Sequence, residues 1–156
     1  MSVLSAETLK KIEEVRKKYP TSRSAVLPSL YLIQEEHGYV TKEGMAEVAR
    51  LLSIPPVQVY ESATFYTMYN KKPVGKHHIQ VCTNLSCSLL GAEHIVKYIS
   101  GKIGVASGET TDDGKFTLST VECLGSCGTA PMMQIGDDYH EDLTEEKIDK
   151  ILDSLD

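Results

Sequence analysis

The chain has 156 residues, 41% hydrophobic and 24% charged, a balance that suits one ordinary domain, or a small domain with a helical appendage, and argues against disorder. Sixteen basic residues against 22 acidic ones give a net charge of −6, which disfavours nucleic acid and anionic membrane as general partners, because phosphate binding needs a basic face. No apolar run approaches the roughly 18 residues of a membrane span, and the N-terminus has neither the basic nor the apolar segment of a secretory signal or transit peptide.

The first seventy or so residues read as helices. Ser5 can cap a first helix carrying Leu9, Ile12, Val15 and Tyr19, and Pro20 stops it. A second starts near Ser22 or Ser24, runs through Val26, Leu27, Leu30 and Ile33, and ends at Gly38, with a slight kink expected at Pro28. Thr41 can cap a third with Met45, Val48, Ala49 and Leu52 as its buried stripe. Pro55-Pro56 opens a fourth, through Val59, Ala63 and Tyr66. Four short helices on short connections predict a small bundle over residues 1–72.

Residues 71–76, rich in Lys, Pro and Gly, read as a linker, and beyond them the periodicity changes. Residues 78–82 alternate as a strand, 91–99 read as a helix, and Asp112-Asp113-Gly114 turns into a strand over 116–121. Residues 132–135 give a third strand followed by a hairpin turn at Gly136-Asp137-Asp138, and Thr144 opens a last helix with Ile148, Ile151, Leu152 and Leu155 on one face. The predicted order for 73–156 is β-α-β-β-α, so the chain as a whole reads as α+β, a helical bundle followed by an α/β domain.

All four cysteines, Cys82, Cys87, Cys123 and Cys127, lie in the second half. Without a secretory signal, clustered cysteines point to metal or redox chemistry rather than to disulfides. Cys82 and Cys87 form C-x4-C directly after a strand, and Cys123 and Cys127 form C-x3-C after another, so both pairs can sit on neighbouring loops at one end of a sheet. Structural zinc favours C-x2-C knuckles, although wider spacings occur. A [2Fe–2S] cluster needs two cysteines on each of two irons, which suits the wider pairs. Gly91, Gly125 and Gly128 would let backbone amides approach the cluster sulfurs. Iron–sulfur is favoured and zinc stays open. No C-x-x-C dithiol is present, and four loop-placed cysteines with none elsewhere argue against inert core thiols.

Val81-Cys82-Thr-Asn-Leu-Ser-Cys87, Gly91 and Val121-Glu-Cys123-Leu-Gly-Ser-Cys127-Gly-Thr-Ala-Pro131 resemble the E-subunit family of NADH–quinone oxidoreductase, the respiratory complex I. The helical half carries the resemblance further, through Ser24-Ala-Val-Leu-Pro28, Ile33-Gln-Glu-Glu-His-Gly-Tyr39 and Ala63-Thr-Phe-Tyr-Thr-Met68. The resemblance implies a thioredoxin-like domain holding one [2Fe–2S] cluster, with Cys82 and Cys87 on one iron and Cys123 and Cys127 on the other. It implies an electron-transfer subunit, inactive alone, reduced by a flavoprotein partner that binds FMN and NADH, within a larger cytoplasmic assembly at the membrane face. The same module occurs in NAD-linked hydrogenases and formate dehydrogenases, which remain alternatives, as does a zinc-stabilised interaction module. Under the resemblance Pro131 can match the cis-proline of thioredoxin-like folds. The absence of G-x-G-x-x-G after a strand agrees with hydride chemistry on another chain.

Other features read more plainly. His37, His77, His78, His94 and His140 are available as ligands, but four cysteines make them unnecessary, and His77 and His78 read as surface residues. The aromatic stretch 63–69 divides evenly between core packing and partner contact. The acidic segment 137–156 reads as a solvated helix face that can steer a basic partner.

Overall fold

The computed structural model describes residues 3–156 and divides after Pro73 into two units. In the first unit α1 (Ala6–Lys17) is capped by Ser5, whose Oγ accepts from the Thr8 amide at 3.2 Å. The Ser5 N–H donates to Glu36 at 2.9 Å, which ties the start of α1 to the end of α2. A 3₁₀ turn (Ser22–Ala25) leads into α2 (Val26–His37), which the left-handed Gly38 (φ 78°) terminates. Pro28 lies in the first turn, where a helix has no amide bond to lose, and the helix runs unbroken through it. Thr41 caps α3 (Lys42–Leu52) by accepting from the Gly44 amide at 3.0 Å, and Pro56 opens α4 (Pro56–Phe65). Ile12, Leu30, Ile33, Val48, Leu52 and Val59 fill the core between these helices. After α4 the chain is fastened back by Gln34, which donates to the Met68 carbonyl at 3.0 Å and accepts from the Asn70 amide at 2.7 Å.

The second unit is a four-stranded mixed sheet with helices. The strands are β1 (His77–Cys82), β2 (Phe116–Val121), β3 (Met133–Ile135) and β4 (Asp138–His140), in spatial order β2-β1-β3-β4. β1 and β2 are parallel, with Cys82 opposite Val121, whereas β3 runs antiparallel to β1, with Val81 opposite Met133. Between β1 and β2 the chain forms α5 (Leu85–Leu89) and α6 (Ala92–Ile103), and α7 (Glu145–Ser154) closes the unit. Ile79 and Val81 of β1, Leu118 of β2, Met133 and Ile135 of β3, Ile95 and Ile99 of α6, and Ile148 of α7 make one apolar core.

Two elements go beyond the β-α-β-β-α expectation. α5 is a separate short helix around Cys87, and the hairpin after β3 returns as a fourth strand, Asp138–His140, paired with β3. α6 also runs four residues past Ile99, to the left-handed Gly104 (φ 76°), because Ile103 packs beside Ile99 on the same face and Gly101 does not interrupt it.

Candidate metal centre

Parallel strands deliver their C-terminal ends to one side of a sheet, which brings the segments after β1 and β2 together. The first loop is stitched to the end of β2: Thr83 donates to the Val121 carbonyl from its amide at 3.0 Å and from its hydroxyl at 3.2 Å. Asn84 then caps α5, its side-chain oxygen accepting from the Leu85 amide at 2.7 Å, and the helix turns Cys87 inward. The second loop carries Cys123 and Cys127, continues as a 3₁₀ turn (Cys127–Thr129) and passes through a cis Ala130–Pro131 peptide into β3.

The four thiols are free, and their mutual influence links the two loops. Cys87 and Cys123 both lower the Cys82 thiol, and the charge of Cys127 is felt at Cys87. Cys82 and Cys87 are 3% and 2% exposed, in a small cluster with Ala92, Ala130 and Met132, while Cys123 and Cys127 are exposed. The site therefore has a dry side and an open side.

Backbone amides converge on the sulfurs. Gly125, in the left-handed region at φ 82°, donates to Cys123 Sγ at 3.3 Å. The amides of Asn84 and Leu124 serve Cys82, and that of Met132 serves Cys87. Burial pushes the Cys82 thiol up, but the two amides and the neighbouring thiols outweigh it and the group ends below the ordinary thiol range. For Cys87 burial comes first and the contact with Cys82 adds to it, so its thiol is pushed up despite the Met132 amide. Such donors stabilise thiolate sulfur, the form that binds metal, so the residues fit an iron–sulfur group. Among the described residues no three His, Cys, Asp or Glu side chains form a cluster for one ion; a two-iron group takes its thiolates as two pairs.

Of the three glycines expected to admit amides, Gly125 does so. Gly91 instead turns the chain from α5 into α6, with its amide on the Ser88 carbonyl at 3.1 Å. The amides of Asn84, Leu124 and Met132 carried no sequence signal, since every residue except proline has one.

Three of the five histidines meet other partners. The His77 ring meets the Asp156 carbonyl at 2.9 Å, His78 meets the Ser119 hydroxyl at 2.7 Å and His94 meets Glu145 at 2.7 Å. His77 and His78, expected at the surface, are half-buried on β1. The aromatic stretch is split by residue: Ala63 and Tyr69 are core, while Phe65, Tyr66 and Met68 are exposed. The acidic tail is less free than expected. Glu145 and Asp149 on α7 are bound to His94, Tyr98 and Lys102 of α6, and Glu141 turns toward the second cysteine loop.

A four-stranded mixed sheet with helices, and two thiol-bearing loops after its parallel strands, define an α/β domain with cysteines gathered at one end of the sheet. Sequence comparison places it more narrowly: the chain belongs to the thioredoxin-like [2Fe-2S] ferredoxin family, whose model matches residues 12–156. It is 52% identical over 146 residues to the NADH-quinone oxidoreductase E subunit of Rickettsia conorii (strain ATCC VR-613 / Malish 7), covering 92% of this chain and 87% of that one. It is 47% identical over 144 residues to the NADH-quinone oxidoreductase E 2 subunit of Rhizobium meliloti (strain 1021), covering 92% and 86% respectively. Among solved structures, an NAD+-reducing [NiFe]-hydrogenase in the H2-reduced state matches with a TM-score of 0.73 and 18% identity. This match covers 88% of the present chain but 23% of the hydrogenase chain, so it speaks to the fold alone.

Proposed function

We infer that this chain is the electron-transfer subunit of an NADH–quinone oxidoreductase, carrying one [2Fe–2S] cluster on Cys82, Cys87, Cys123 and Cys127. The convergence of the four thiols from two parallel-strand loops onto one locus lined with amides carries this reading. Cys82 and Cys87 would hold one iron, Cys123 and Cys127 the other. When bound, the cluster supplies one-electron storage, which complements a flavin that takes two electrons and passes them on singly. The chain's own residues prepare the site. Ala92, Ala130 and Met132 keep water from the inner pair, and the amides of Asn84, Leu124, Gly125 and Met132 aim positive dipole ends at the sulfurs.

The family resemblance implies that the hydride step belongs to a flavoprotein partner that binds FMN and NADH, and the Thr83-Asn84-Leu85 segment after β1, which is not a phosphate-cradling glycine loop, agrees with this. Leu85, Leu89 and Leu90 of the first cysteine loop are 71%, 77% and 59% exposed beside Cys87, an apolar rim suited to a protein surface. On the helical unit, exposed Phe65, Tyr66 and Met68 support a docking role for residues 1–72. No helix among the described residues is long and apolar enough to cross a membrane. The quinone-linked assembly is favoured over the hydrogenase because relatives near half identity over most of their length are named as the E subunit of that enzyme, against 18% identity to the hydrogenase.

Co-expression with the flavoprotein tests the reading. NADH should reduce the cluster of the pair and leave that of the isolated chain oxidised. Rapid NADH oxidation by the flavin-free chain would overturn it.

A further inference from the structure

The segment from β4 to α7 is fastened along the outside of the second cysteine loop. Tyr139 Oη donates to the Leu124 carbonyl at 2.7 Å, the Asp142 amide to the Thr129 carbonyl at 2.7 Å, and the Leu143 amide to the Pro131 carbonyl at 2.9 Å. In the middle of this strap Glu141 turns its carboxylate onto the loop. One oxygen, Oε1, accepts from the Ser126 hydroxyl and from the Thr129 hydroxyl, the latter at 2.6 Å. Ser126 immediately precedes Cys127 and Thr129 follows it by two positions, so a single carboxylate oxygen grips both flanks of one cysteine. The two hydroxyl oxygens also lie 2.8 Å apart, so the three side chains form one compact cluster. Lys147 is engaged by the Glu141 main chain, its Nζ donating to the carbonyl rather than pairing with the carboxylate.

A solvated glutamate gains little by giving up water for two surface hydroxyls unless the loop needs holding. The two donors, ahead of an opposing contribution from burial and a smaller favourable one from Lys147, hold the carboxyl below the ordinary range, so it is charged at neutral pH. An electron arriving at a site of thiolate sulfur adds negative charge, and a fixed anion alongside opposes that addition.

We propose that Glu141 is a positioning residue of the redox site: it pins the Cys127 side of the second loop through Ser126 and Thr129, and its fixed negative charge holds the reduction potential of the centre down. The proposal rests on the reading that the four cysteines carry a [2Fe–2S] cluster.

The test is a redox titration of the cluster-loaded full chain, followed by electron paramagnetic resonance. Glu141→Gln keeps an oxygen for the hydroxyls and removes the charge. It should shift the one-electron equilibrium about threefold toward the reduced state, which is about 28 mV upward at about 59 mV per tenfold. Glu141→Asp keeps the charge on a shorter arm and should shift the equilibrium by less than half as much as Glu141→Gln. The gap between Glu141→Gln and the unaltered protein should shrink at about 1 M salt, where screening acts over about 3 Å. An unchanged potential in Glu141→Gln with the cluster intact overturns the proposal, as does a Glu141→Asp potential matching that of Glu141→Gln. If Glu141→Gln does not retain its cluster, Thr129→Val carries the test, because it loosens the carboxylate while leaving its charge: a raised potential supports the proposal and an unchanged one overturns it. Failure of the unaltered chain to hold iron and sulfide would instead remove the underlying reading.

Discussion

Replacing Cys87 by serine and Cys123 by serine should have the same effect on cluster content and unequal effects on the cluster-free fold. Cys87 is 2% exposed among Cys82, Ala92, Ala130 and Met132, so the serine hydroxyl enters an apolar pocket. A buried hydroxyl without a good partner costs about 1–3 kcal/mol, which lowers the folded-to-unfolded ratio by about fivefold to about 150-fold. For a unit of this size each kcal/mol corresponds to about 4–8 °C in melting temperature. Cys123 is exposed, and its replacement should stay within about 0.5 kcal/mol. The assay is urea denaturation of chelator-treated, thiol-reduced full-length protein, followed by circular dichroism because the chain has no tryptophan. The transition to compare is that of residues 74–156, since two units can melt separately. Equal destabilisation by the two substitutions would refute the division into a dry and an open side.

Gly75→Ala should destabilise the second unit by about 1–3 kcal/mol. Its Cβ would lie 2.8 Å from the Phe116 carbonyl carbon and 2.9 Å from the Gly114 oxygen, backbone atoms that cannot swing away. Gly101→Ala, with nothing within 4 Å inside α6, should instead stabilise by about 0.5–1 kcal/mol, and thermal melts of the pair check both signs. Tyr69, fully buried with its hydroxyl on the Leu27 carbonyl at 2.8 Å, sets an alkaline limit on the helical unit. Burial first, then the neighbouring Tyr31 and Tyr66, raise its phenol well above the ordinary range. The folded state thus holds this proton more tightly than the unfolded one. The stabilisation is complete below the unfolded phenol pKa of about 10 and is lost as pH rises toward the folded value. Tyr69→Phe should cost about 1 kcal/mol at neutral pH and flatten the stability loss above about pH 10, as read by denaturant melts across that range.

Much of the fold was legible because its signals are local. Ser5, Thr41 and Thr144 cap the helices that the sequence assigns to them, and Gly38 ends α2 as expected of a residue free to take positive φ. Elements that are very short or held by a neighbouring strand were not legible. β4 is three residues, Asp-Tyr-His, without an apolar alternation, and exists because β3 pairs with it. α5 is five residues built on the Asn84 cap, too short for helical periodicity to register. Within the site, the cysteines stood out by residue type and spacing. The amides around them did not, and Glu141 was lost inside an acidic tract whose members look alike until Ser126 and Thr129 are brought to one of them.

Metal and acid-labile sulfide analysis of the anaerobically purified full-length protein shows whether two irons and two bridging sulfides bind on this chain. The expected result is about two irons and about two sulfides per chain, a brown colour that bleaches on reduction and the paramagnetic signal of a reduced [2Fe–2S] centre. Stoichiometric zinc without inorganic sulfide would contradict it.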